Sequence, residues 1–160
     1  MSIRGTFLIA GCLASLATSA DAQSVRDLLQ NATALSCEFR QMATGTWSQD
    51  GAPVAETKPA TLKLAFSDID TQSGTATVEG SIGAPEIVVQ TSGGYLHFIQ
   101  SGLTGFLYVT TVFDKISSEG KLKAVHTRHE YTDVSLPGYT SRPQQYYGEC
   151  RITADTRPAR

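Results

Sequence analysis

Two histidines and an arginine form the densest group of reactive side chains in the sequence. His126 and His129 stand three positions apart, and Arg128 lies between them. On a helix this spacing would place both imidazoles on one face, where they could bind a metal ion. On a strand it places them on opposite faces, because strand side chains alternate. The neighbouring Val125 and Thr127 favour a strand, so we predict no metal site at this pair.

The same strand geometry divides this segment into two faces. One face carries Leu122, Ala124, His126, Arg128 and Glu130. If its apolar members point into a β-barrel, His126 and Arg128 lie at the mouth, where a guanidinium can bind a carboxylate or phosphate through two hydrogen bonds. The alternative is structural: Arg128 forms an internal ion pair with Glu130 or an aspartate, beside a histidine whose hydrogen bonds are satisfied.

A second distinctive stretch, residues 144–150, contains two adjacent tyrosines, Tyr146 and Tyr147. Adjacent strand residues face opposite sides, so we expect one ring in the core and one at the surface. Tyr146 shares a face with Cys150 and is the third candidate ligand-binding residue, after the histidine and the arginine of the first segment. Gly148, on the same face, indicates a close backbone approach or a β-bulge.

The common catalytic motifs are missing from the sequence. It contains no Gly-x-Ser-x-Gly elbow, no His-Glu-x-x-His, no phosphate-binding loop and no Gly-x-Gly-x-x-Gly. We therefore assign no catalytic residue and expect no cofactor. An enzyme is the rival interpretation, in which a hydrolase or isomerase uses His126, Arg128 and His129 at the mouth of a barrel.

Alternating apolar and polar residues predict an antiparallel all-β domain. Leu62, Leu64 and Phe66 mark the cleanest half-buried strand. Turn sequences separate the strands, and all six prolines are expected between or beyond them. Trp47, the single tryptophan, is expected to fill one end of the core. The further strand-like runs are residues 35–40, 75–79, 86–91, 95–100, 105–113, 121–132 and 144–152.

One short amphipathic helix is expected before the strands, over residues 24–33. Ser24 and Asp27 have the spacing of a capping box, which marks the start of a helix. Val25, Leu28 and Leu29 recur at helical spacing and form an apolar stripe.

The N-terminus predicts export from the cytoplasm. Residues 1–22 contain one early positive charge, an uncharged apolar run too short to span a bilayer, and a small-x-small cleavage site. Together these features predict a cleaved signal peptide. The rival interpretation is a lipoprotein, in which the residues that precede Cys12 act as a lipobox and Cys12 is lipidated. The rest of the chain is predicted to form a single β-domain over residues 23–153 and a flexible tail over residues 154–160.

Removal of the signal peptide leaves two cysteines, Cys37 in the first predicted strand and Cys150 in the last. In an oxidising compartment, two cysteines far apart in sequence predict a disulfide. This bond would tie the ends of the sheet together, which favours a closed β-barrel over a β-sandwich bridged by the bond. The outline resembles small secreted β-barrels such as the lipocalin-like proteins; the resemblance is architectural and assigns no functional residue.

Composition narrows the class of protein further. The 160 residues carry a net charge of -2, which argues against nucleic-acid binding, and 18% are charged, below the usual value of about 25%. We expect an exported protein, periplasmic or secreted, with no stable membrane span. Its expected role is non-catalytic binding of a small apolar or anionic ligand, or of a cell-envelope protein. A second alternative is a structural or host-facing interaction protein without a pocket.

Overall fold

The computed structural model describes residues 17–79, 86–101, 106–129 and 143–154, with the backbone alone for residues 17–23. These residues contain one helix, α1 (Ala17–Gln30), and eight strands. The strands are β1 (Leu35–Trp47), β2 (Pro53–Asp70), β3 (Thr75–Glu79), β4 (Glu86–Ser92), β5 (Tyr95–Ser101), β6 (Leu107–Ile116), β7 (Leu122–His129) and β8 (Gln144–Ile152).

The eight strands form one antiparallel sheet that closes into a ring. Each strand pairs with its neighbours in sequence, and β8 returns to pair with β1. The prediction of an antiparallel all-β domain with a short N-terminal helix is confirmed. The division of the chain into a signal peptide, a domain and a tail stays a prediction.

The predicted disulfide between Cys37 and Cys150 is also confirmed. The two cysteines lie directly opposite each other on β1 and β8, and 113 positions separate them in sequence. The β-sandwich alternative required a bond that bridges two sheets. The observed bond instead joins neighbouring strands of one sheet. In the chain-entropy model, closing a loop of this length stabilises the folded state by up to about 4.7 kcal/mol.

The inside of the ring is filled mainly by apolar side chains from alternate strand positions. In β4, Ile87 and Val89 are buried, whereas Val88 between them is exposed, which is the period of a half-buried strand. The same alternation in the other strands supplies a single continuous core. Its largest fully buried side chains are Phe39, Phe98, Leu29, Leu35, Leu96 and Val112.

The hairpin formed by β1 and β2 is longer than the sequence predicted. β1 runs to Trp47 and β2 begins at Pro53, and most side chains of the first half of β2 are exposed. The expectation that Trp47 fills the core was wrong: its side chain is 59% exposed at the end of the hairpin. The end of the hairpin extends past the interior that an aromatic ring could fill, and in the first half of β2 the side chains of both faces are exposed, so they give no alternating pattern.

The placement of all prolines outside strands was also wrong. Pro53 begins β2 and Pro59 lies within it, opposite Gln41, beside a register shift. Within the described residues, the part of β2 before Ala65 pairs with β1 alone. A proline has no N–H to donate, and such an edge tolerates it because no second strand needs that donor.

Helix α1 begins earlier and ends sooner than the predicted helix over residues 24–33. Ser24 lies inside this helix in the full-length chain, and Leu28 is 60% exposed although it was placed in the apolar stripe. Leu29 is fully buried, and Arg26 also faces the ring. Successive helical residues turn by about 100°, so a face that holds both Leu29 and Arg26 leaves Leu28 outside. Among the described residues, no helix combines the length and apolar composition that crossing a membrane requires.

A partly buried ion pair attaches α1 to the ring. The Nε and Nη2 atoms of Arg26 donate to Oδ2 of Asp114, at 3.2 and 2.9 Å. Asp114 is buried on β6, and the hydrogen bond from Arg26 holds the pKa of its carboxyl below the usual value. Gly94, at the turn before β5, leaves room for the arginine, because a Cβ there would overlap the guanidinium. The helix therefore lies at the end of the ring formed by this turn and the end of β6.

A close approach between β1 and β8 depends on Gly148. A Cβ at this position would overlap the backbone carbonyl oxygen of Glu38 and lie 2.6 Å from the Cα of Phe39. The register of β1 shifts just after Phe39 against both of its neighbours. The bulge or close approach expected at Gly148 is thus present, and it lets Phe39 fill the interior.

We expect Gly148→Ala to lower the free energy of unfolding by roughly 1–3 kcal/mol, because backbone atoms must move to admit the methyl group. The matched control is Gly45→Ala on β1, where a Cβ has no neighbour within 4 Å. That change is expected to leave stability unchanged or to raise it by up to about 1 kcal/mol. Chemical denaturation of both variants measures the difference, and equal stabilities would contradict the close approach.

Candidate functional site

Two rows of side chains run across neighbouring strands on the inside of the ring, one over β6, β7 and β8 and the other over β6 and β7. The first row joins Thr110, His126 and Tyr146, which lie directly opposite one another across the three strands. The second row, nearer the start of β6, joins Tyr108 and Arg128. The inward orientation expected for His126 and Arg128 is therefore present. Glu130, the partner proposed in the structural alternative, lies outside the described residues.

His126 is buried and uses both ring nitrogens. Its side chain is 4% exposed, Nδ1 lies 2.8 Å from Oγ1 of Thr110, and Nε2 accepts a hydrogen bond of 3.3 Å from Nε of Arg128. An arginine N–H can only donate, so Nε2 carries no proton and the hydrogen of the neutral ring is on Nδ1. His126 therefore donates to Thr110 and accepts from Arg128, which gives a directed chain of three side chains.

The surroundings of His126 keep its ring neutral. Burial, and secondarily the positive charge of Arg128, lowers the pKa of His126 from 6.5 to about 3. Three aromatic rings, those of Phe39, Tyr108 and Tyr146, have centroids 5.9 Å from the imidazole. An apolar surrounding of this kind disfavours the charged form.

Arg128 lies between two aromatic rings. Its guanidinium carbon is 5.3 Å from the ring centroid of Tyr108 and 5.3 Å from that of Tyr146, within the range of cation–π attraction. No carboxylate among the described residues forms an ion pair with it. As far as the described residues go, the Nη groups of Arg128 can therefore donate to a ligand.

The two adjacent tyrosines divide as expected. Tyr146 is buried on the inside of the ring, and its hydroxyl donates to Oε1 of Gln144 at 2.6 Å. Tyr147 is exposed on the outer face and donates to Gln145. Tyr146 thus contributes to the site a ring that contacts Arg128.

A cavity of about 200 Å³ lies beside these rows. The rings of Phe66 and Phe98 stack at its base, with centroids 4.0 Å apart. Its polar wall contains Thr110, His126 and Arg128. The other lining residues are the apolar Leu62, Leu64, Val78 and Ile87 and the polar or amphipathic Lys63, Glu79, Gln100 and Tyr108.

The remaining histidines lie outside this cavity. His129 is exposed at the end of β7, on the opposite face from His126, and His97 is hydrogen-bonded to Thr111 at 3.0 Å. No three histidine, cysteine, aspartate or glutamate side chains of the described ranges converge as metal ligands would. The structure therefore brings together His126, Arg128 and Tyr146, and it leaves His129 apart from them.

Sequence reasoning did not identify Tyr108 and Thr110 as site residues. Both lie on β6, and they reach the site through their register with β7. The available signal was alternation: Tyr108, Thr110 and Val112 share one strand face, of which Val112 is apolar.

Similarity to known proteins does not assign a role to this site. No protein-family model, no curated protein and no solved structure matches the chain. The chemistry of the site therefore rests on its own contacts: a neutral histidine, an arginine between two tyrosines, and an apolar cavity beside them.

We expect the free energy of unfolding to fall by about 2 kcal/mol between pH 7 and pH 5 because of His126 alone. The unfolded histidine takes up a proton near pH 6.5, whereas the folded one stays neutral to about pH 3. The unfolded state therefore binds more protons in this range, and stability decreases as the pH falls. The carboxyl groups whose pKa is lowered have unfolded values of 4.5 or below, so their effect appears mainly at lower pH.

Chemical denaturation at both pH values checks this expectation. His126→Gln should remove most of the slope, and His129→Gln, at the exposed end of the same strand, should retain it. A wild-type stability that is flat from pH 7 to pH 5, or an equal slope in His126→Gln, would show that the histidine is not held neutral.

Proposed function

We propose that the protein is an exported β-barrel of lipocalin-like architecture that binds a small molecule in its interior and does not convert it. The observation that carries this proposal is the cavity beside Arg128, which has an apolar base and a polar wall. Binding sites for small molecules are commonly concave and apolar, with a few convergent polar groups that fix orientation. The cavity has both features.

The volume of the cavity indicates a small ligand. Pockets for drug-sized ligands measure roughly 300–1,000 Å³, and this one measures about 200 Å³. The stacked rings of Phe66 and Phe98, together with Leu64 and Val78, offer an apolar surface to a molecule of this size. Removing such a molecule from water against these side chains favours binding.

The state of His126 favours binding over catalysis. A general acid or base works best with a pKa near the operating pH, whereas the pKa of His126 is about 3. Both of its nitrogens are engaged in hydrogen bonds, and His129 lies on the other face of β7. The hydrolase or isomerase alternative would need His126 and His129 to act on one substrate.

Export is part of the proposal. It rests on the predicted signal peptide and agrees with the disulfide, because such bonds persist in oxidising compartments. The periplasm or the extracellular space would provide this condition, and the lipoprotein form through Cys12 is the alternative. Mass analysis of the exported protein distinguishes a chain cleaved after Ala22 from one lipidated at Cys12.

A cavity-filling variant tests the proposal. We expect the wild type to bind the neutral probe indole in its interior with one-to-one stoichiometry, and we expect Val78→Phe to weaken this binding at least about 10-fold, because the added ring occupies the cavity. The control is Val88→Phe on the neighbouring strand. Val78 is buried and lines the cavity, whereas Val88 is 51% exposed on the outer face.

Isothermal titration calorimetry measures both affinities, and thermal unfolding of each variant verifies that it is folded. Absence of saturable binding to the wild type would contradict an interior binding site. Equal weakening in the two valine variants would contradict its location.

A further inference from the structure

We propose that the ligand is a small amphipathic carboxylate, with its carboxylate on the Nη groups of Arg128 and its apolar part against Phe66 and Phe98. This inference deepens the proposed function and rests on it, since it names the chemical class that the interior site selects. Three observations support it: the geometry of the Arg128 guanidinium, the positive charge that this group places at the cavity, and the apolar side chains at the base of the cavity.

The contacts of Arg128 leave one direction open to a partner. Tyr108 and Tyr146 lie near the guanidinium, and Nε–H is used by His126. No described residue accepts from the Nη N–H bonds, which lie in the plane of the guanidinium. An acceptor with two coplanar oxygens fits them through two parallel hydrogen bonds, and a carboxylate has this shape.

Charge at the cavity favours a ligand with a single negative charge. Among the described residues, Arg128 supplies the one inward-facing charge at the cavity. Lys63 and Glu79 also border the cavity, but both are exposed and alternate with the inward-facing Leu62 and Val78. Arg128 is half-buried, and no carboxylate of the described residues pairs with it, so a singly charged anion stabilises its guanidinium. A doubly charged phosphate would leave excess negative charge beside the aromatic rings.

The base of the cavity selects the other end of the ligand. Phe66 and Phe98 stack with an angle of 16° between their planes, and Leu64 and Val78 also line the space. A volume of about 200 Å³ suits an aromatic ring with a short arm or a short branched chain. Such a molecule places apolar atoms at the base when its carboxylate is at Arg128.

The neighbours of Arg128 position it for this contact. Thr110 accepts from His126, and His126 accepts from Arg128, so the long arginine side chain is held at its Nε atom. An arginine held before binding loses little conformational freedom when the ligand arrives. We therefore regard His126 and Thr110 as positioning residues for Arg128.

Three probes with the same aromatic ring test the inference: phenylacetate, its neutral analogue phenylacetamide, and benzylphosphonate. By calorimetry at neutral pH, we expect the wild type to bind phenylacetate at least about 20-fold more tightly than phenylacetamide, the size of effect that a charge-assisted pair gives. We expect benzylphosphonate to bind more weakly than phenylacetate.

Substitution of the arginine locates the preference. In Arg128→Gln the preference for phenylacetate should fall below about 3-fold, because the guanidinium is lost, and the affinity for phenylacetamide should be retained, because the apolar side chains of the cavity stay in place. Arg128→Lys should keep part of the preference, since it retains the charge without the paired donors. The control is Arg40→Gln, because Arg40 is exposed on the outer face and paired with Glu38; it should behave as the wild type.

The outcomes separate this inference from the proposed function. Equal binding of phenylacetate and phenylacetamide to the wild type would overturn the carboxylate class and leave an interior binding site in place. Tighter binding of benzylphosphonate would overturn it in favour of a phosphate-type ligand. Failure of all three probes and of indole would overturn the proposed function itself. The comparison among probes uses the wild-type protein, so it decides the matter even where a variant fails to fold.

Discussion

Closure of the sheet between β1 and β8 is the constraint on which the rest of the structure depends. β1 pairs with β2 on one side and with β8 on the other, and the disulfide between Cys37 and Cys150 fixes that second pairing covalently. Closure joins the first strand to the last and so removes two edges that would otherwise be exposed. It also places Phe39 and Tyr146 inside one enclosed space, which is the precondition for a desolvated site around His126.

Inside that space, the need of buried polar groups for hydrogen-bond partners determines the arrangement of the site. A histidine buried among three aromatic rings must be neutral and hydrogen-bonded, and Thr110 and Arg128 supply the two partners. The guanidinium in turn is stabilised by Tyr108 and Tyr146, while its Nη groups have no described acceptor. The apolar cavity therefore lies beside a positive charge, and this combination leads to the proposal that the ligand is an amphipathic anion.

The alternation of apolar residues and the number and positions of the cysteines predicted much of this arrangement. The alternation of Leu62, Leu64 and Phe66, the inward face of β7, and the pairing of Cys37 with Cys150 all followed from residue type and spacing.

Features that depend on distant pairing were missed. Thr110 reaches His126 only through the register of β6 with β7, and Leu28 is exposed because Arg26 binds Asp114, 88 positions away. The long hairpin was missed because both faces of the first half of β2 are exposed, so no two-residue period marks that part of the strand. Pro59 lies at an edge because the first half of β2 pairs with β1 alone, and no local sequence pattern reveals this pairing.

The most direct test of the central claim is the NMR signal of the Nε–H group of Arg128. The structure predicts a resonance that exchanges slowly with water, because this N–H is bonded to His126, and that is displaced by the ring currents of Tyr108 and Tyr146. Addition of phenylacetate should shift it again and leave the resonance of the exposed Arg40 in place. An Arg128 resonance with the shift and fast exchange of a solvated arginine, unchanged by phenylacetate, would contradict the account.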